Sequence, residues 1–292
     1  MYYAVQRAVP RENVIGLHLP GVDVMTPEVF APLRTRVLDQ LPAAVQSLVL
    51  IWSQPFAVGC MSITSAFAAG YRPEFCQPGC IRTPRNPLFN IDGWLPADTV
   101  GWWPAMLLPS GNLPLARALI QRGISADFSA PPGTLYLIRT ADDSRNVRAA
   151  AYPDAMLKLA YGLRIAELST PIRRDLPDAI GYFTGARQVD ELPLIHFRPG
   201  AIADHLTSTG GVLRGGAQMS ALSWLDQGAT ASYGSVSEPC NMLEKFPNVS
   251  VLFERYTHGD TVLQAYWKSV AMPGQGLFIG EPLARPYVTR PR

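Results

Sequence analysis

Polar and apolar positions along the chain alternate between short apolar runs and segments of helical period. Over 26–41, Thr26 and Pro27 read as an N-cap and first helical residue, and Val29, Phe30, Leu33, Val37 and Leu41 form one apolar face. Residues 47–52 are a continuous apolar run that reads as a central strand covered on both faces. A helix opens at Asn112 and Pro114, runs through Ala116, Leu119 and Ile120, and is expected to end at Gly123. Strands are predicted over 133–140, 179–183, 194–197, 229–233 and 276–279, and helices over 153–168 and 217–227. Two further short helices are separated by His258-Gly259-Asp260, where glycine ends one and aspartate caps the next. Residues 2–7 read as the end of a helix feeding a proline-marked loop and a strand-like stretch over 14–19. A chain that starts in mid-architecture implies either a start further upstream, with an export signal that would make the protein periplasmic or secreted, or a shortened variant.

Strands separated by helix-length segments predict an α/β fold with a mostly parallel sheet flanked by helices, organised as a single domain over 1–292. Residues 70–112 break the pattern. They are rich in proline, glycine and tryptophan (Trp94, Trp102, Trp103) and read as a loop-rich insertion, a binding layer or aromatic packing. In such sheets ligands bind beyond the carboxyl ends of the strands, so chemistry is expected after Trp52, Thr140, Phe183, Phe197 and Tyr233.

Composition narrows the function classes. The chain is 48% hydrophobic and 16% charged, which supports a buried core and excludes general disorder. A net charge of +2 on scattered Lys and Arg gives no basic face for nucleic acid, and no 18-residue apolar run predicts a membrane span. Phosphate-loop, dinucleotide, zinc-protease and nucleophile-elbow motifs do not occur, so no cofactor is expected.

Two polar clusters follow predicted strands. In 199–211, His205 is a candidate general base with Asp204 setting its tautomer, or a structural hydrogen-bonding group, and Thr207 and Ser208 are candidate binding residues. In 233–241, Cys240 is a candidate nucleophile or a structural cysteine, beside Tyr233, Ser235 and Glu238 as binding residues. The four cysteines, Cys60, Cys76, Cys80 and Cys240, leave disulfides and inert thiols open. The C-x3-C spacing of Cys76 and Cys80, without a second close pair, argues against a metal site.

Several strings carry a resemblance. Tyr182-Phe183-Thr184-Gly185, Phe197-Arg198-Pro199-Gly200-Ala201, Ala203-Asp204-His205-Leu206-Thr207-Ser208, Glu238-Pro239-Cys240-Asn241 and Ile279-Gly280-Glu281-Pro282-Leu283 resemble an uncharacterised bacterial family. That family occurs in species carrying exosortase, the sorting system for surface proteins with a Pro-Glu-Pro type C-terminal signal. The strand order is more distantly similar to the gingipain type of caspase-like cysteine peptidase, which implies a caspase-like sheet. Those enzymes carry a catalytic histidine in a Tyr-x-Gly-His-Gly loop and a catalytic cysteine at the end of the next strand. Here alanine, Ala186, stands where the histidine is expected, and the next strand, expected to end at 198–201, has no cysteine. The resemblance implies a non-peptidase that serves as a binding or assembly factor for a protein or peptide of envelope sorting. The alternative is a cysteine-dependent hydrolase that rebuilt its dyad from His205 and Cys240.

Overall fold

A computed structural model of the chain describes residues 2–76 and 80–289. In chain order its elements are α1 (Tyr2–Gln6), β1 (Val24–Met25), α2 (Pro27–Leu38), β2 (Leu48–Leu50), β3 (Ala57–Val58), β4 (Met61–Ser62), α3 (Ile63–Ala69), α4 (Ala97–Val100), β5 (Ala105–Leu107), α5 (Leu113–Ala126), β6 (Thr134–Arg139), α6 (Tyr152–Leu159), β7 (Arg164–Ser169), β8 (Leu176–Thr184), β9 (Ile195–His205), α7 (Leu222–Gln227), β10 (Ala231–Ser235), α8 (Val249–Thr257), α9 (Val262–Ser269) and β11 (Gly276–Gly280). Eight strands form one sheet in the order β2-β5-β11-β10-β9-β8-β6-β7, and β1, β3 and β4 form a small second one. Every pairing in the large sheet is parallel except β10 with β11.

Side-chain alternation along the strands divides the core between two faces. On one, Phe253 of α8 meets Phe183 edge to face, Trp267 of α9 stacks on Phe278 at 4.4 Å, and α6 packs against α8. On the other, Trp224 of α7 lies against Tyr182. Arg122 of α5 donates to the carbonyl oxygens of Leu225 and Ala229, which joins α5 to the end of α7.

The structure departs from the sequence reading at four informative places. Residues 47–52 contain the edge strand β2, hydrogen-bonded only to β5; an apolar run reports burial, and loops can supply it at an edge as well as neighbouring strands can. The segment 153–168 holds α6 and then β7: the helix ends at Leu159, a short turn follows, and residues 164–169 pair in continuous register with β6. Helix α5 continues through Gly123 to Ala126, since this glycine serves a close approach instead of a cap: a Cβ there would overlap the carboxylate of Glu281. Strand β9 does not end at 198–201. Pro199 and Gly200, the latter at φ +87°, mark an irregularity where the register with β8 shifts, and the strand resumes to His205. The 70–112 segment is also less of a loop than its composition implies, because it contributes β5 to the sheet, and Trp102 packs between Phe75 and Trp267.

Glu281, just after β11, is fully buried and ties the start of the chain to its end. Arg7 donates Nε to Oε1 at 3.0 Å and Nη2 to Oε2 at 2.5 Å, and the Tyr3 hydroxyl donates to Oε1 at 3.0 Å. Burial raises the Glu281 pKa, and Arg7 opposes the rise. Removing the guanidinium by Arg7→Met is expected to cost about 3–5 kcal/mol, because it strands a buried carboxylate. Urea unfolding checks this, and adding Glu281→Gln is expected to recover part of the loss.

Candidate functional site at the carboxyl edge of the parallel strands

From β6 the chain goes outward to β7 and then crosses back to β8 on the other side of β6. The carboxyl ends of β6 and β8 therefore flank a topological switch point, where open α/β sheets bind ligands. The loop after β6 covers it. Thr140 donates its hydroxyl to the Gly185 carbonyl at 2.6 Å, and its N–H goes to Asn146 Oδ1 at 3.0 Å. Gly185 has no room for a side chain, since a Cβ would overlap the Arg145 carbonyl. Arg145 donates Nε to Thr207 Oγ1 at 2.9 Å and Nη1 to Asp142 at 2.8 Å. Thr207 in turn donates to Gln218 Oε1, which also takes the N–H of Thr209. This network binds the loops after β6 and β9 into one rim.

Asp204 and His205 are neighbours at the end of β9 and lie on opposite faces of the sheet, because successive strand side chains alternate. Asp204 faces α6 and α8, where its Oδ1 is paired with Nη1 of Arg148. Both are buried, and the guanidinium lies 5.6 Å from the ring centroid of Phe183 and 5.9 Å from that of Phe246. Burial raises the pKa of Asp204, and Arg148 opposes the rise. His205, 1% exposed, sits among Trp224 and Met219. Its Nδ1 accepts the Trp224 indole N–H at 2.9 Å, so Nε2 carries the proton and donates to the Met219 carbonyl at 2.9 Å. Burial pushes the imidazole pKa down to about 4, the Met219 bond opposes this, and Arg148 and Arg145 add to the depression.

The sequence-predicted pocket does not assemble. Asp204 does not orient His205, and the imidazole is neutral with both nitrogens occupied, so it has no lone pair to offer as a general base. Cys240 is bonded to Cys80 and Cys60 to Cys76, so no cysteine is free and the proposed nucleophile is absent. The near pair Cys76 and Cys80 thus goes to two different partners. Tyr233 is buried with its hydroxyl donated to the Lys245 carbonyl at 2.5 Å, and Glu238 Oε1 accepts the N–H of Cys240. Ser235 is buried and its hydroxyl has no partner. Thr207 belongs to the rim network, and Ser208 is half-buried beside it. Among the described residues no cluster of His, Cys, Asp and Glu is arranged to hold a metal ion.

Sequence reasoning passed over Arg148, Trp224, Gln218 and Arg145. Arg148 carried a legible signal: a lone charge inside Val147-Arg148-Ala149-Ala150-Ala151, where small apolar neighbours imply burial and hence a buried partner. Two hollows accompany the site. One of about 40 Å³ adjoins Arg148 at the start of α6 and α8. The other, a groove of about 340 Å³ between α5 and α7, is lined by the buried Leu119 and Leu225, the half-buried Leu222 and the exposed Leu115, Arg214 and Asp226.

Fold and site define an open α/β protein with its polar machinery at the carboxyl edge of the parallel strands. No known protein family, curated protein or solved structure matches the chain.

Two outcomes follow from these bonds. The native protein is expected to show no thiol to an alkylating reagent, and the denatured, reduced chain four, counted by mass spectrometry. His205 is held neutral in the fold, so below pH 6.5 the unfolded chain takes up a proton that the folded chain refuses until about pH 4. Its contribution is complete above pH 6.5 and is lost as the pH falls to about 4, in total roughly 3 kcal/mol. Urea unfolding on either side of that window is expected to show a shallower pH dependence for His205→Gln than for the wild type, and an equal slope contradicts the assignment.

Proposed function

We propose that the chain is a non-peptidase with a caspase-like sheet that acts as a binding or assembly factor for a polypeptide in exosortase-type envelope sorting. The observation that carries the non-peptidase half is the Cys80–Cys240 bridge together with the engaged, buried imidazole of His205, which leaves neither member of a thiol–imidazole dyad available. Two disulfides also favour an oxidising, extracytoplasmic compartment. Among the described residues no helix is long and apolar enough to cross a membrane.

The groove between α5 and α7 supports the binding half. It is large enough for a few side chains of an extended segment, four leucines line it, and the exposed Arg214 and Asp226 add one charge of each sign. The test is fluorescence anisotropy with labelled peptides that copy the Pro-Glu-Pro C-terminal segments of exported proteins. Saturable binding is expected, weakened about tenfold by Leu115→Glu, which puts a charge on the exposed apolar wall of the groove at a helix-compatible position. Absence of binding, or binding indifferent to that substitution, overturns the proposed seat. Cleavage of the same peptides that is lost in Cys240→Ser would restore the hydrolase.

A further inference from the structure

Arg148 is a buried charge whose hydrogen-bonding capacity is largely unmet among the described residues. Its side chain is 4% exposed, and only Nη1 has a partner, Asp204 Oδ1. Nε and Nη2 are buried and have no hydrogen-bond partner among the described residues. In a planar guanidinium those two N–H groups lie side by side along one edge, parallel and spaced to match the two oxygens of a carboxylate. Buried donors are almost always satisfied, so this free fork is a place for a ligand or ordered water to complete, the other candidate partner being the unpartnered Oδ2 of Asp204.

The surroundings suit an anion. The adjoining hollow of about 40 Å³ is bordered by Arg148, Tyr152, Phe246, Pro247, Asn248 and Ser250 and is not sealed from the surface. It lies at the first turn of α8, a nine-residue helix capped by Asn248, whose side chain takes the N–H of Val251. The N–H groups of Val249 and Ser250 have no partner within the helix, and the positive end of the helix dipole favours negative charge there. Two acids stand nearby: Asp154 accepts from Ser250 Oγ at 3.4 Å and pairs with Lys158 at 3.0 Å, and Asp204 pairs with Arg148 through Oδ1 while its Oδ2 is buried and unpartnered among the described residues. The rings of Tyr152 and Phe246 supply apolar wall. A hollow of this size holds a carboxylate head with little more than a methyl group, given about 30 Å³ for one water, so the remainder of any larger ligand lies outside it.

We propose that the hollow beside Arg148 is a carboxylate-binding site that receives the head group of a small aliphatic acid or of a polypeptide C-terminus on the free Nε/Nη2 edge. The site is separate from the groove between α5 and α7 and does not depend on the function proposed for it.

The experiment is isothermal titration of the intact, disulfide-bonded chain with sodium acetate and sodium propionate against sodium chloride. Peptides ending in alanine, with a free or an amidated C-terminus, form the second arm. The carboxylates are expected to bind with Kd on the order of 1 mM, and chloride and amidated peptides not at all. Binding of the small acids alone identifies a free acid as the ligand; free-carboxylate peptides that compete with acetate identify a chain terminus. Arg148→Lys removes the fork, and because that buried position is sensitive, Ala151→Leu serves as a second variant that fills the hollow and leaves the guanidinium in place. Each is expected to weaken acetate binding at least about tenfold, while Leu115→Glu leaves it unchanged. Binding no stronger than chloride's, or binding unaffected by Ala151→Leu in the folded protein, shows that water alone completes Arg148 and overturns the proposal.

Discussion

The buried ion pair of Arg148 and Asp204 is the constraint on which the carboxyl edge of the sheet depends. It fastens the 3-10 turn Asn146–Ala151 to the last residues of β9 across the face that α6 and α8 cover. Two charges brought out of water attract strongly, but each also loses its hydration, so such a pair fixes geometry more dependably than it adds stability. The guanidinium lies near the rings of Phe183 and Phe246, and the turn that carries it leads directly into α6. The position of α6, the cover over the switch point and the hollow at α8 follow from this one placement.

Strand alternation acts on the same residues with a different result. Asp204 belongs to an ionic cluster on one face, and His205, its covalent neighbour, to an aromatic one on the other. The imidazole there works as a fixed junction: it accepts from Trp224, donates to Met219 and so ties α7 and the segment before it to β9. The two disulfides complete the arrangement at the other cluster. The bridge from Cys240 to Cys80 links the loop after β10 to the 70–112 segment, which converts the sulfur from a reagent into a tether.

The residue types that sequence reading favoured for chemistry, the imidazole of His205 and the sulfur of Cys240, are thus both engaged in structural bonds. The buried polar atoms without a hydrogen-bond partner among the described residues include Nε and Nη2 of Arg148, Oδ2 of Asp204 and the hydroxyl of Ser235.

The amino-acid order by itself determined the α/β class, the mostly parallel sheet, and the location of β6, β8, β10, β11, α2, α8 and α9, because apolar period and capping residues are local properties. Thr261 shows the limit even there: it caps α9 in a capping box with Gln264, one residue beyond the aspartate that the sequence favoured. Local pattern could not tell an edge strand from a central one at β2, a strand irregularity from a strand end at Pro199-Gly200, or a close-packed glycine from a cap at Gly123. Only the tertiary structure decided those, together with the partners of Cys240, His205 and Arg148. Each turns on what lies across the fold, and contacts between residues tens to hundreds of positions apart leave no period in the chain.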